Sequence, residues 1–383
     1  MIRLLKWVIT ILLIYGAYNF YFKDNGHNAE ESKPSSSMEN RINQDSITSF
    51  FQSFTDEFEN IKSFFKNAED ILPDWNIEGD TEDTEDTEEI DKPELVTPQD
   101  HPFSIHNISL GDDKKSVEKS LGSPKRETIN EYGISWYAYH QNYHNFVMVG
   151  YDEHNQVEAL YTNQDLIAST NGIKKGTKKE VVLKTLGKPL TEIRKGLVFY
   201  KMAEDRDYEV FRLDDSYVTV FFDKHENNSV TALQIVSSSL EENRKDFYVE
   251  GNENLKEGFE YQLFDLTNAS RVNNHLKPLT WDEAVRDTAR KHSLDMAENN
   301  YFSHTNLEGE SPFDRMLNDG IRYTIAGENL AYGQNSSIFA HEGLMNSIGH
   351  RENILQKDFA SLGVGVAFNN KSQPYYTENF VTE

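Results

Sequence analysis

The sequence predicts an α+β protein with two folded units behind an N-terminal apolar segment and an acidic spacer. Three observations predict this organisation. Apolar runs typical of strands alternate with short helical patterns from residue 101 to residue 242. A phrase in that region recurs after 65 residues. From residue 253 helical periodicity dominates, and two strand-like runs close the chain.

The N-terminal segment, residues 1–23, is predicted to be a membrane anchor. Residues 4–22 are almost wholly apolar, and 19 residues of helix approach the thickness of a bilayer core. Arg3 and Lys6 precede the acidic part of the chain, so the positive-inside bias places the N-terminus in the cytoplasm and the rest outside the cell. A cleaved signal peptide, which would leave a secreted protein, is the alternative, but no small-residue cleavage site follows the apolar run.

Residues 24–100 are predicted to form an acidic, low-complexity tether. They hold 22 acidic and 5 basic residues, and therefore −17 of the net charge of −26. Self-repulsion between the acidic side chains favours an extended chain. A phenylalanine-rich island at residues 50–65 has helical spacing, and two interpretations stay open: an amphipathic helix on a membrane or partner, or a helix docked on its own downstream domain.

The composition of the whole chain excludes several kinds of partner and chemistry. The 64 acidic residues against 38 basic ones disfavour nucleic acid and anionic lipid, because the net charge repels both. The chain has no cysteine, which excludes disulfides, thiolate metal sites and cysteine nucleophiles. Stability must therefore come from packed cores.

Residues 101–242 are predicted to contain two copies of one unit, a short helix followed by strands. Leu121 and Leu186 are expected to be buried at the ends of the two helices, and Thr177 with Glu180 is expected to cap the second. The positions that recur 65 residues apart are Gly111, Val117, Leu121, Gly122 and Pro124, then Gly176, Val182, Leu186, Gly187 and Pro189. Strands are predicted at residues 146–151, 157–161, 217–222 and 230–236.

Residues 253–383 are predicted to form a mainly helical domain with a closing strand pair. A helix is expected to begin at a capping box of Thr280 and Glu283 and to end near Asn300. His292 falls on the apolar face of this helix and is expected in the core, whereas His275 and His341 are expected to be exposed. Residues 362–368 and 375–380 are predicted to be paired strands.

Five phrases of the C-terminal domain, in their order and spacing, resemble the bacterial branch of the CAP superfamily (cysteine-rich secretory proteins, antigen 5 and pathogenesis-related proteins). The phrases are Ala289-Arg-x-His-Ser-x-Asp-Met296, Phe302-Ser-His304, Gly327-Glu-Asn-Leu330, Gly349-His-Arg-x-Asn-Ile-Leu355 and Gly363-Val-Gly365. The resemblance implies a three-layer α-β-α sandwich. Residues 101–242 in turn resemble the tandem domain that precedes CAP domains in Gram-positive exported proteins, which implies a binding or spacing module.

The resemblance also implies a cleft with two His and two Glu side chains. Carried over residue by residue, the first His is His304, the first Glu is Glu328 and the second His is His350. Ser347 stands where the second Glu is expected, which weakens a mechanism based on two carboxylates.

Three chemistries are open for these four residues. His304, His350 and Glu328 could hold a metal ion such as Zn²⁺, and the missing acid predicts weak binding. Alternatively, Glu328 could orient a His that acts as a general base, with Ser347 as a nucleophile. In the third, His304, Glu328 and His350 form a hydrogen-bond network that fixes the fold.

The first functional hypothesis is a single-pass, cell-surface binding protein, with the C-terminal domains outside the cell and a glycan, lipid or protein of the cell envelope as its ligand. The alternative is a cell-envelope hydrolase that cuts peptide or peptidoglycan, with or without a metal ion. The loss of the second acidic residue, replaced by Ser347, and the absence of hydrolase motifs such as a Gly-x-Ser-x-Gly elbow or a His-Glu-x-x-His sequence favour the first.

Overall fold

The structure, a computed structural model, describes residues 90–195, 197–244 and 246–383. The predicted anchor at residues 1–23 and most of the predicted tether lie outside the described residues. Within the described part of the chain, no helix is long and apolar enough to cross a membrane. Residues 90–96, the end of the predicted tether, run along the first domain, where Asn107 accepts a hydrogen bond from Val96 N and donates one to Glu94 O.

The first domain consists of eleven strands and three short helices in the described ranges. In chain order they are β1 (Phe103–Ile105), α1 (Lys114–Leu121), β2 (Arg126–Ile129), β3 (Ser135–Gln141), β4 (His144–Tyr151), β5 (Val157–Thr162), β6 (Ile167–Ser169), α2 (Lys179–Leu186), β7 (Glu192–Lys195), β8 (Val198–Lys201), β9 (Tyr208–Leu213), β10 (Ser216–Asp223), β11 (Ser229–Ser237) and α3 (Ser238–Asn243). The four strand predictions are confirmed as β4, β5, β10 and β11.

Seven of these strands form one antiparallel sheet in the order β2-β3-β4-β5-β11-β10-β9. Both faces of the sheet are covered. One face packs with α1, α2, β1 and β6 around Val149, Leu160 and Leu233, and the other contributes Phe146, Tyr161 and Phe221 to a cluster with the second domain. Because both faces are covered, β10 is buried at every position, and most of its residues are apolar on both faces.

The two recurring phrases both form an eight-residue helix that ends at a glycine with positive φ, at Gly122 (79°) and Gly187 (82°). The fully buried helical residues are Val117 and Val182, while Leu121 and Leu186 are only half-buried against the same core. The expected capping box of Thr177 and Glu180 is wrong. The N-cap is Lys178, and the hydroxyl of Thr177 instead accepts a hydrogen bond from Lys174 N at 3.0 Å.

The second domain has five helices and four strands in the described ranges: α4 (Glu253–Asn273), β12 (Thr280–Trp281), α5 (Glu283–Asn299), α6 (Pro312–Asn318), β13 (Ile325–Tyr332), α7 (Ser337–Met345), α8 (Ile348–Ile354), β14 (Ser361–Phe368) and β15 (Pro374–Thr382). The predicted pairing of the last two strands is confirmed. The cap of α5 is not the expected Thr280, which lies in β12. Asp282 caps the helix by accepting from Ala284 N and Val285 N.

The sheet of the second domain, in the order β12-β14-β15-β13, lies between two helical layers. Leu362, Val364 and Val366 face α4, α7 and α8, whereas Gly363 and Gly365 face α5. This is the α-β-α sandwich that the resemblance implies. The glycines are required by the close approach of the helix, because a Cβ on Gly365 would lie 2.1 Å from Arg290 N.

Replacing Gly365 with Ala is therefore expected to lower the free energy of unfolding by about 2 to 3 kcal/mol, since α5 must shift to make room for the methyl group. Gly349→Ala is a matched control, because a Cβ at Gly349 meets no atom within 4 Å. Denaturant unfolding of both variants measures the difference. Equal stability of the two variants would contradict the packing argument.

The two domains are packed against each other, a point that the sequence left open. Tyr161 of β5 donates to Glu342 of α7 at 2.6 Å, and Arg126 of β2 lies 2.9 Å from Asp265 of α4. Near the start of α8, Arg351 pairs with Asp223 at 2.8 Å. The Tyr161–Glu342 hydrogen bond is buried and the two ion pairs are partly shielded from solvent, so these contacts orient the sheet against the helices more firmly than fully exposed pairs would.

Candidate functional site

Glu328 on strand β13 is the centre of a compact polar cluster. Its carboxylate accepts a hydrogen bond from His304 Nδ1 at Oε1 (2.8 Å) and one from Arg315 Nη2 at Oε2 (2.6 Å). Arg315 also donates to the backbone oxygen of His304 at 2.7 Å, which ties the loop between α5 and α6 to the cluster. The Glu328 side chain is 1% exposed and the His304 side chain 28% exposed, so a ligand can approach the histidine and not the carboxylate.

The charge of this carboxylate is fixed by its neighbours. Burial by itself would raise the pKa of Glu328, but the hydrogen bond from His304 and the positive charge of Arg315 outweigh burial and bring that pKa below its ordinary value. Because Glu328 stays ionised, the proton of a neutral His304 sits on Nδ1, and Nε2 is the acceptor nitrogen.

His350 and Ser347 form a second pair at the start of α8. His350 Nδ1 lies 2.7 Å from Ser347 Oγ, and either atom can be the donor. Ser347 is the N-cap residue of α8, but its side chain makes no capping hydrogen bond, so the hydroxyl is directed to the imidazole. Both side chains are half-buried.

A buried amide and carboxylate network joins the two pairs through the backbone. Asn329, next to Glu328 on β13, donates to His350 O at 3.1 Å and to Glu378 Oε2 at 3.1 Å. Asn353 of α8 donates to Glu328 O and to Asn329 Oδ1. The structure therefore brings His304 directly to Glu328, whereas it connects His350 to that centre through Asn329.

The metal hypothesis for His304, His350 and Glu328 gains no support from this geometry. Among the described residues, no group of three or more His, Asp or Glu side chains is arranged so that it could hold a metal ion. The physical reason is Arg315, whose guanidinium occupies the second carboxylate oxygen and supplies the positive charge that a metal ion would supply.

Sequence reasoning missed Arg315, Glu378 and the part that Asn329 and Asn353 play. Asn329 and Asn353 do lie inside two of the five family phrases, so their place in the motif was a usable signal. Neither Arg315 nor Glu378 lies in any of the phrases, and Glu378 is flanked by Thr377 and Asn379 in the last predicted strand. Neither carries a local pattern that predicts its partner.

The expected exposure of His341 is wrong, and Glu342 has a role that the sequence did not predict. His341 is fully buried and lies 2.7 Å from Ser270 Oγ through Nε2, and burial lowers the pKa of His341 to about 3. Both residues lie on α7, which is covered by the rest of its own domain and by the first domain. The predictions for His292, in the core, and His275, exposed, are confirmed.

A second feature is a cavity of about 510 Å³ between the two domains. Its walls come from strands β7 to β11 on one side and from residues 333–343 on the other, and aromatic rings line much of it: Tyr132, Tyr200, Tyr208, Tyr217, Phe247, Tyr248 and Phe339. Lys195, Glu241 and Arg244 form a buried ion cluster in its wall, with Lys195 Nζ 2.6 Å and Arg244 Nη2 3.1 Å from Glu241 Oε1.

Two family models match the chain. The CAP-associated N-terminal domain matches residues 110–247, and the cysteine-rich secretory protein family (CAP) matches residues 264–380. The Glu328 cluster and the Ser347–His350 pair both lie in the second match, and the cavity between the domains is bounded by both.

Known relatives and solved structures agree with these matches. The chain is 30% identical over 289 residues to the membrane protein YlbC of Bacillus subtilis, which covers 71% of this chain and 82% of the relative. It is 42% identical over 123 residues to YkwD of the same organism, covering 32% and 47%. An extracellular protein with an SCP domain from Bacillus anthracis str. Ames is similar at a TM-score of 0.62 and 27% identity, covering 77% of this chain and all of that one.

A cysteine-rich secretory protein from Staphylococcus aureus subsp. aureus Mu50 shares the fold, with a TM-score of 0.56 at 16% identity, covering 72% of this chain and 91% of that one. The relative YlbC matches across both domains and not the CAP domain alone, because its alignment exceeds either domain in length. This chain therefore belongs to the CAP superfamily, as a bacterial member that carries a CAP-associated domain in front of its CAP domain.

Proposed function

We propose that this protein is a membrane-anchored, cell-surface binding protein, and that its CAP domain has no hydrolytic activity. The proposal rests on the burial of Glu328 and on the hydrogen bonds that its carboxylate already accepts. A general acid or base must be able to exchange a proton with a substrate. Both oxygens of Glu328 already accept hydrogen bonds from His304 and Arg315, and the side chain is 1% exposed.

The place of binding in this proposal is the cavity between the domains, and the ligand is a glycan of the cell envelope. The volume of about 510 Å³ lies within the roughly 300 to 1,000 Å³ that is usual for ligand pockets. Tyrosine rings offer an apolar face and a hydroxyl group together, which suits the alternating C–H and O–H surfaces of sugars. The name of the relative YlbC as a membrane protein and the extracellular relative from Bacillus anthracis support a location outside the membrane.

In this proposal the two helix-and-strand units of the first domain are copies of one structural repeat. The helical form of both phrases, each ending at a glycine with positive φ, supports the prediction. In this proposal the first domain supplies one wall of the cavity and spaces the CAP domain from the anchor at residues 4–22.

A hydrolase is the second candidate, and one observation favours it. Ser347 Oγ lies 2.7 Å from His350 Nδ1, the distance at which a histidine can accept the proton of an attacking hydroxyl group.

The experiment exposes the full-length protein to purified, insoluble cell walls and measures both the bound fraction and the fragments released. We expect binding without release. Phe247→Ala, on the cavity wall, is expected to weaken binding about tenfold, which corresponds to roughly 1.4 kcal/mol. Phe313→Ala, a similarly exposed ring of the CAP domain outside the cavity, is the matched control.

Fragments released by the wild-type protein and not by Ser347→Ala would establish the hydrolase and overturn the proposal. Loss of binding in both phenylalanine variants to the same extent would remove the cavity as the binding place.

A further inference from the structure

The segment from residue 174 to residue 201 reverses the charge of the rest of the chain. It holds nine Lys or Arg residues and two Glu residues, a local charge of +7 (9 − 2) within a protein of net charge −26. Six of the nine basic side chains are exposed: Lys174, Lys178, Lys184, Lys188, Arg194 and Lys201. A repulsion argument based on the whole chain therefore does not hold for this surface.

Within this segment, the hairpin of β7 and β8 presents an apolar tip to solvent. Leu197 is 91% exposed, and Val198 and Phe199 are each 52% exposed. Single exposed apolar residues are ordinary, but three in succession on one hairpin lower solubility unless something covers them. We refer to Leu197, Val198 and Phe199 as the hairpin tip.

The base of the hairpin is fixed to the first domain, so the tip projects from a firm support. Lys195 Nζ at the end of β7 lies 2.6 Å from the buried Glu241. Just beyond the other strand, Met202 N donates to Thr191 O at 2.9 Å. The ring of Tyr200 stacks on Phe247, with 6.4 Å between centroids.

Basic residues lie in the hairpin itself and in the segment that leads to it. Arg194 lies opposite Phe199 in the pairing of the two strands, with its guanidinium carbon 5.5 Å from the centre of that ring. Lys201 ends β8, and Lys184 and Lys188 precede the hairpin. No ion pair to Lys184, Lys188 or Lys201 occurs among the described residues. Exposed apolar side chains within a strongly basic segment are typical of a surface that binds anionic membranes.

We propose that the hairpin tip inserts into the headgroup region of an anionic lipid bilayer, with Arg194, Lys201, Lys184 and Lys188 against the lipid phosphates. Charge complementarity selects this occupant, because the local charge of +7 attracts anionic headgroups, whereas an apolar partner protein would not require these cations. The contact is separate from the predicted anchor at residues 4–22, and its apolar tip, Leu197 to Phe199, is not among the residues that line the cavity between the domains, although Lys201 is. It would hold the first domain against the membrane surface instead of leaving it at the end of the acidic tether.

The test uses the natural absence of cysteine, which allows a single fluorescent label without background. Full-length Leu197→Cys carries an environment-sensitive dye at the tip. Full-length Leu307→Cys, at a CAP-domain leucine that is 62% exposed, is the matched control. Both proteins are reconstituted in vesicles of phosphatidylcholine, alone or mixed with phosphatidylglycerol, and quenching by lipids brominated in the acyl chain is measured.

We expect severalfold stronger quenching at position 197 than at position 307 in vesicles with phosphatidylglycerol. The quenching should fall in pure phosphatidylcholine, at high salt, and when Arg194→Gln and Lys201→Gln are combined in the labelled protein. Equal quenching at both positions would overturn the proposal. So would quenching at position 197 that is the same in vesicles with and without phosphatidylglycerol.

A dye at position 197 that is shielded from aqueous iodide and yet not reached by the brominated lipid would also overturn it. That result would show that protein covers the tip, either the phenylalanine-rich residues 50–65 or a second copy of the chain. None of these outcomes depends on glycan binding, so the failure of this proposal and the failure of the proposed function are distinguishable.

Discussion

Replacing Arg315 with Met is expected to lower the free energy of unfolding by about 3 to 5 kcal/mol, the usual cost of removing one partner of a buried ion pair. The Arg315 side chain is 8% exposed and the Glu328 side chain 1% exposed. Methionine keeps much of the volume but leaves Glu328 without its guanidinium partner. The backbone oxygens of His304 and Glu310 also lose a donor.

Arg286→Met is the control for this change. Arg286 pairs with Glu283 and Asp287 on the surface of α5, where both acidic side chains are 60% exposed, so its removal is expected to cost at most about 1 kcal/mol. Urea unfolding of the two variants measures the difference. A loss for Arg315→Met no larger than that for Arg286→Met would refute the view that Arg315 is the structural counter-ion of Glu328.

Three buried glutamates are expected to make the free energy of unfolding fall as the pH rises towards and above 7. Burial raises the pKa of Glu131, Glu342 and Glu378 to about 7 each, from an ordinary value of 4.5. A carboxyl group with a raised pKa in the folded state contributes stability that is fully present below pH 4.5 and is lost as the pH rises through 7. A shift of this size corresponds to on the order of 3 kcal/mol for each group.

Glu342→Gln isolates one of the three groups. Glutamine keeps the oxygen that accepts from Tyr161 and cannot ionise, so the variant is expected to gain stability relative to the wild type as the pH rises from 4.5 to above 7. The difference between variant and wild type is the informative quantity, because the buried His140 and His341 have lowered pKa values and act in the opposite direction below pH 6.5.

Thermal or urea unfolding at several pH values gives this difference. Glu298→Gln, at an exposed carboxylate on α5, is the matched control and is expected to show no trend with pH. A difference for Glu342→Gln that stays constant from pH 4.5 upwards would show that Glu342 is ionised in the folded protein throughout.

Because Glu342 contacts Tyr161 across the domain boundary, this measurement also reports on the packing of the two domains. Ionisation of Glu342 places a charge in the interface, where Lys175 and Arg351 lower its pKa and Asp223 raises it. If the charged form loosens the interface, the cavity between the domains changes with it. The glycan binding proposed above is therefore best measured below and above pH 7.

The sequence by itself determined several of the strands and the phrases that carry the candidate site residues. Strands β4, β5, β10 and β11 were predictable because apolar residues that must be buried leave a continuous run along the chain. The phrases around His304 and Glu328 were predictable because their spacing resembles a known family. Those two residues do meet, at 2.8 Å.

Only the tertiary structure decided which side chains bind the carboxylate of Glu328. Arg315 and Glu328 are 13 residues apart, and no periodicity of a helix or strand connects them. The exposure of His341 was mispredicted for a related reason. Helix α7 packs within its own domain, where His341 contacts Ser270, and also against the cluster shared with the first domain, through Ile338 and Phe339. Only the tertiary structure shows this double coverage.

The net charge follows from the sequence, whereas the local charge at a surface follows from the tertiary structure. The net charge of −26 is a property of the sequence, and it predicts repulsion from anionic surfaces. The structure shows that the exposed cation Arg194 adjoins Phe199 of an exposed apolar hairpin tip, an arrangement that the net charge of the chain cannot reveal. Electrostatic forces are screened within about 10 Å at ordinary salt concentrations, so the charges close to the tip, and not the net charge of the whole chain, decide what it binds.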